Sequence, residues 1–251
     1  MFDPQVDDEF CSYFANNFGV LVVSIDYHKA PRNPFPGPVE DIAAIVSAVL
    51  SDDSLPIDHD KIAIGGFSAG GNLSLAISQK PELHKLIKAA VCFYAPLDFG
   101  TTAAQKLAGR PRPDKPDMLA PFLQTFDDAY VPEGTDVHNP MLSPMYAPRK
   151  SLPEWLYVIC GEEDCLCLED RAFAERAAGI ERPDPKLPHP VHEINEDSWE
   201  VGPVKWELVR GMAHNFTHLK KRKPDEEKER LKVSHDIYAR LFEWLQAGPW
   251  A

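Results

Sequence analysis

The sequence has no apolar run long enough to cross a bilayer: the longest, Ala89 to Leu97, falls far short of the ~20 residues a spanning helix needs. It also lacks a basic-then-apolar leader, since the amino terminus reads Met1-Phe2-Asp3-Pro4. Basic residues are the minority. The 26 Lys and Arg face 39 Asp and Glu, for a formal charge of -13 and a pI near 5.1. That balance excludes the positive field on which nucleic-acid binding and anionic-membrane binding rely. The one basic cluster, Lys220-Lys221-Arg222-Lys223, runs at once into Asp225-Glu226-Glu227 and reads as a solvated face. Cysteine is scarce and odd in number, five residues without framework spacing, which fits a reduced compartment rather than a disulfide scaffold. Internal repeats are absent.

What is present is 251 residues, 44% hydrophobic and 26% charged, enough for one sizeable α/β core. Phe10, Tyr13, Phe14 and Phe18 recur at helical spacing and stop at Gly19, predicting a helix over about Asp7 to Asn17. The run Val20 to Ile25 then predicts a strand covered on both faces. After a Pro-rich turn (Pro31, Pro34, Pro36, Pro38), Val39, Ile42, Val46 and Val49 share one helical face. Further strands are expected at Lys61 to Ile64, Ala89 to Tyr94, Trp155 to Cys160 and Val204 to Val209. Helices are expected at Ala69 to Gln79, Leu168 to Ala178 and Glu227 to Leu245. Alternating strands and helices predict a mostly parallel sheet with helices on both faces. Two stretches break the alternation. Residues 98–153 are Pro-rich with a weakly amphipathic piece near Met118 to Phe126, as in a lid, and Glu181 to Pro203 reads as a polar surface excursion.

The segment Ile62-Ala63-Ile64-Gly65-Gly66-Phe67-Ser68-Ala69-Gly70-Gly71-Asn72 places G-x-S-x-G between a predicted strand and a predicted helix. In a nucleophile elbow the serine sits on a strained turn, and the residues two before and two after it, Gly66 and Gly70, must be small for the backbones to pass. The turn lifts the hydroxyl above the carboxyl edge of the sheet and offers the Ala69 N–H to a developing oxyanion. A serine hydroxyl needs a base and an orienting acid, expected in the order Ser, Asp/Glu, His. Gly161-Glu162-Glu163-Asp164-Cys165-Leu166 follows one predicted strand and Gly211-Met212-Ala213-His214-Asn215-Phe216 follows another, both at carboxyl ends where such sites assemble. Asp164 is the expected acid, with Glu162, Glu163 and Asp170 as competitors. His214 is the expected base, against His218, His189 and His192. The triplets Asn72-Leu73-Ser74 and Asn215-Phe216-Thr217 match a glycosylation acceptor but lie inside these motifs, where a glycan would obstruct the site; a cytoplasmic protein is the expectation.

With Ser24 to Pro36, the elbow, the acid loop and the histidine loop in this order, the chain resembles the hormone-sensitive-lipase-like esterases from about Asp7 onward. The resemblance implies an α/β-hydrolase fold, a single domain over 1–251 with a cap at about 98–153, and hydrolysis of small to medium acyl esters without a cofactor. It also implies that Tyr27 to Pro36 braces the active-site wall and that Asn139 to Pro144 leads back from the cap. Phe67 stands where the family usually has an acidic residue, and Arg32 where it has glutamate.

The family pattern also places a strand and a His-Gly-Gly-Gly oxyanion loop ahead of the first helix, where this chain begins. Relative to that pattern the fold is N-terminally truncated, so the segments at Val20 to Ile25 and Lys61 to Ile64 must pair directly or stay unpaired. The alternatives are a catalytically impaired relative acting as a binding module for a small molecule or protein, or an incomplete gene product. Cys160, Cys165 and Cys167 have a spacing reminiscent of metal ligands, but zinc sites pair ligands differently, and no metal is expected.

Overall fold

The computed structural model describes residues 4–180 and 198–251. The chain begins with α1 (Asp8–Phe18), α2 (Gly37–Leu50), β1 (Ala63–Phe67), α3 (Ala69–Ser78), the short α4 (Pro81–His84) and β2 (Ala89–Phe93). Then come α5 (Ala103–Gly109), α6 (Leu123–Tyr130), β3 (Trp155–Gly161), α7 (Cys167–Ala177), β4 (Ser198–Val201), β5 (Val204–Val209) and α8 (Pro224–Ala247). The strands form one sheet in the order β1-β2-β3-β5-β4, parallel except for the antiparallel pair β4 and β5. The fold is that of an α/β-hydrolase.

Every residue of β2 is buried, as are all but the first of β3. Successive side chains of a strand point to opposite faces, so these two strands are covered on both. One apolar cluster joins β2, β3 and β5 to α1, α7 and α8, and a second joins α2 and α3 through Val39, Ile42, Leu73 and Ile77. Aromatic contacts bind α1 to α8: Phe18 stacks on Phe242 at 4.0 Å, and Phe10 meets Tyr238 edge-on at 4.9 Å.

Three expectations are corrected. The strand predicted at Val20 to Ile25 does not form: the segment carries no strand pairing, and Leu21 and Val23 are exposed rather than covered. Its β-branched residues favour extended backbone, but a strand is defined by its neighbour. Among the described residues no strand lies against the outer edge of β1. The two segments therefore do not close up, and they flank a cleft of about 1340 Å³ whose lining includes Val22, Ile64 and Phe67. The strand predicted at Lys61 to Ile64 sits further on, at Ala63–Phe67, running straight into the elbow. Of the excursion expected over Glu181 to Pro203, residues 181–197 lie outside the described residues, while Ser198–Val201 is the strand β4, turned back on β5 through Gly202 and Pro203.

The helix behind the elbow is the most deeply buried of the helices, from Gly71 through Ser78. Leu75 on α3 is wholly buried and contributes to the cluster around β2. Leu75→Ala is expected to cost about 2–5 kcal/mol, read as a lowered midpoint in chemical unfolding without a change of slope.

Candidate active site

Ser68 links β1 to α3 with φ 51° and ψ -120°, a conformation that costs a residue with a Cβ about 1–3 kcal/mol. The bend is held because the Ser68 N–H donates to the Phe93 carbonyl at 2.9 Å, and the Ser68 carbonyl accepts from Gly71 N–H at 2.9 Å. A Cβ on Gly66 would lie 2.3 Å from the Gly70 carbonyl carbon, so only glycine lets the strand pass the helix there. Gly70 does not share that demand: a Cβ on it would meet nothing within 4 Å. The steric requirement falls on one glycine of the elbow, because the backbones cross on the side of Gly66.

The acid and histidine loops are fastened together before they meet Ser68. A Cβ on Gly161 would lie 2.2 Å from the Met212 carbonyl oxygen, so the strand end carrying Asp164 and the loop carrying His214 cross at a glycine. Glu163 N–H donates to Met212 O at 2.9 Å, and Gly211 N–H donates to Glu162 at 2.9 Å. Asp164 is fully buried, with one carboxylate oxygen 2.7 Å from His214 Nδ1 and the other accepting from Leu166 N–H at 2.9 Å. His214 Nε2 lies 3.0 Å from Ser68 Oγ. The three predicted residues thus form one hydrogen-bonded chain across three strand ends.

None of the described competitors joins this hydrogen-bonded chain. Glu162 pairs with Arg210 and Gly211, while Glu163 is tied by its backbone to Met212. Burial pushes the Asp170 carboxyl well above the ordinary carboxylate range. His218 Nε2 bonds to Asp7 at 2.9 Å. His189 and His192 lie outside the described residues.

Sequence reasoning missed Tyr94, which follows β2 at φ 40°. Its ring packs edge-on against His214 at 5.0 Å and near Phe216 at 5.6 Å, and its hydroxyl bonds to Thr217 and His218. Phe67 fits its place because Phe10, Phe93 and His218 surround it with rings. Arg32 is exposed. Within Tyr27 to Pro36, Phe35 N–H donates to Tyr130 O at 2.9 Å and ties the turn to α6. Asn139 to Pro144 is tied to α3, since Asn72 donates to Leu142 O at 2.9 Å and Gln79, which follows that helix, to Pro140 O at 2.8 Å.

The cysteines do not assemble as a metal set. Cys160, Cys165 and Cys167 are all buried, and burial raises the first two thiols. Among the described residues the grouping that does occur is Asp117, Asp164 and Cys165, within 4.8 Å of one another. Its carboxylate oxygens are already taken up by the protein: those of Asp117 by Leu119, Ala120 and Cys165 N–H, those of Asp164 by Leu166 and His214.

A family profile described as alpha/beta hydrolase fold matches residues 1–184. The chain belongs to that family. It is 31% identical over 173 residues to an arylesterase of Saccharolobus solfataricus, covering 68% of this chain and 56% of that protein. To an acetyl-hydrolase of Streptomyces hygroscopicus it is 28% identical over 176 residues, covering 69% and 56%. A solved esterase from the bacterial hormone-sensitive lipase family superposes with TM-score 0.73 at 25% identity, covering 98% of this chain and 72% of that one. The chain spans less than two thirds of the length of these curated relatives. Among the described residues no helix is long and apolar enough to cross a membrane.

The loop after His214 is anchored by Arg230, whose buried guanidinium donates to the Thr217 carbonyl and to Glu9 and Glu227. The hydrogen bond from Arg230 holds the Glu227 carboxyl down at about 2, against an ordinary value of 4.5. A depressed carboxylate pKa favours the folded state above the unfolded value, so this stabilisation is full above about pH 4.5 and is lost as pH falls towards about 2. Glu227→Gln is expected to lower the thermal midpoint at pH 7, and the gap from the unmodified protein should close as the pH is lowered through that window.

Proposed function

We propose that the chain is a serine carboxylester hydrolase for small to medium acyl esters, with Ser68 as nucleophile, His214 as base and Asp164 as orienting acid. The observation that carries this reading is the continuous hydrogen-bonded chain Asp164–His214–Ser68 opening onto the cleft. Ser68 Oγ attacks the ester carbonyl as His214 Nε2 takes its proton. The same nitrogen then protonates the departing alcohol, leaving an acyl-serine. Water attacks that acyl group, gives its proton to Nε2, and the acid departs as Oγ is reprotonated. Asp164 keeps Nδ1–H pointed at itself and stabilises the imidazolium formed in each half. Ala69 N–H, at the first position of α3, donates to the oxyanion. The scheme uses protein groups and water throughout.

The whole chain works as one hydrolase unit in this reading, with residues 98–153 as a cap. Met118, Phe122 and Phe126 are exposed on that segment and line the cleft, giving an apolar wall for the non-reacting part of an ester. The names of the relatives, an arylesterase and an acetyl-hydrolase, favour an ester substrate. Five free cysteines suit a reducing, cytoplasmic setting.

The cleft along the outer edge of β1 favours a second reading, in which the same pocket binds an ester-like ligand without turnover. Purified protein given a short-chain p-nitrophenyl ester should hydrolyse it, Ser68→Ala should not, and Asp164→Asn should lose about 10⁴-fold in kcat. Equal turnover by the protein and Ser68→Ala would overturn the hydrolase reading. Failure of a fluorophosphonate to label Ser68 would favour the binding reading.

A further inference from the structure

The cap segment grips the acid loop and the helix that follows it at one buried point each. Lys106 on α5 pairs with Glu169 on α7 at 2.9 Å, with both side chains almost wholly withdrawn from solvent. Glu169 also accepts from the backbone N–H of Leu97, where the segment leaves β2. The second point is Asp117, itself buried. One oxygen of its carboxylate accepts from Leu119 and Ala120 N–H on its own segment, at 2.7 and 3.3 Å. The other reaches across to the acid loop and accepts from Cys165 N–H at 2.7 Å. Around these contacts Ala103, Leu119, Leu123, Cys165 and Leu166 form a small apolar cluster separate from the main core.

Cys165 directly follows Asp164, and the next N–H, that of Leu166, is the one that bonds the Asp164 carboxylate. The rotamer of Asp164 is therefore set by a short turn whose middle amide is held from the cap. Bringing a second carboxylate within 4.8 Å of Asp164 in a buried site costs desolvation and repulsion, which a neutral side chain would avoid. A buried carboxylate there does what an apolar group cannot: it accepts three backbone hydrogen bonds from two separate segments and fixes their register.

We propose that Asp117 is a positioning residue, which acts through Cys165 to hold Asp164 in line with His214 and so makes the aim of the acid depend on the cap being seated. The proposal rests on the reading of Ser68, His214 and Asp164 as a catalytic set. Displacing the cap frees Cys165 N–H, loosens the turn and lets the Asp164 carboxylate rotate away from Nδ1.

The test is Asp117→Asn, which keeps the shape but turns an amide donor towards either Cys165 N–H or the N–H groups of Leu119 and Ala120. The expected result is a fall in kcat for a short-chain p-nitrophenyl ester of about 10- to 100-fold. KM should change by less than about twofold, since binding of the ester is not what is lost. The low-field proton resonance of the His214 Nδ1–H in the hydrogen bond to Asp164 should broaden or move upfield. Asp114→Ala, on the exposed side of the same segment, should change neither reading. A folded Asp117→Asn protein with unchanged kcat and an unmoved resonance overturns the proposal. If Asp117→Asn does not fold, Leu119→Ala loosens the same seat without stranding a polar group. A smaller fall in kcat with the same movement of the resonance supports the proposal, and no change overturns it. Because the resonance reports the Asp164–His214 bond without any turnover, failure of the hydrolase reading, seen as equal turnover by Ser68→Ala, remains distinguishable from failure of this one.

Discussion

Ser68 occupies backbone space that a side-chain-bearing residue enters only at a cost, and much of the sheet's carboxyl edge is organised around keeping it there. The restraint comes from three directions. Phe93 supplies the carbonyl that captures the Ser68 N–H, which is possible only because β1 and β2 run parallel in a register that ends Phe67 opposite Phe93. Gly66 lets the strand slip under the first turn of α3. That helix is in turn immobilised by burial along nearly its whole length and by Asn72, which donates to the Leu142 carbonyl. Loosening any of these allows the turn to relax and lowers the hydroxyl out of reach of His214.

The opposite side of the site is built by exclusion of water. Asp164 has no exposed surface, and a carboxylate so placed is tolerable only when its oxygens are satisfied. Leu166 N–H and His214 Nδ1 satisfy them, and the crossing of Gly161 beneath Met212 brings the two loops close enough for that. Arg230 extends the arrangement outward, tying the loop after His214 to α1 and α8. The positions of acid and base therefore follow from backbone packing, with side-chain hydrogen bonds completing rather than creating the geometry.

The parts legible in the sequence were those written in local pattern. The elbow, the two loops after strand patterns and the stripes of α1 and α2 each occupy a continuous stretch with its own periodicity or turn chemistry. What depended on a partner distant in the chain was not legible. Val20 to Ile25 has the composition of a covered strand, but pairing is a property of two segments, and β-branched residues alone leave an extended, half-exposed chain. Likewise the demand for glycine at position 66 and its absence at 70 depend on which side the backbones cross, which a symmetric motif conceals. Tyr94 and Asp117 carry no motif at all. Their significance appears only when β2 is laid beside the histidine loop and residues 98–153 beside the acid loop.

The two halves of the site differ in how firmly they are made, and that difference bears on the reaction proposed for it. On the proton-transfer side His214 and Asp164 are enclosed and anchored through several independent contacts. On the carbonyl side Ser68 faces the cleft between β1 and the extended segment Val20 to Ile25, where the walls are half-buried apolar side chains. In the proposed reaction Ala69 N–H is the donor the elbow offers to the oxyanion, and one such donor is typically worth about 10²- to 10³-fold in rate. In acyl transfer the base activates the nucleophile, but the charge that develops on the carbonyl oxygen sets much of the barrier.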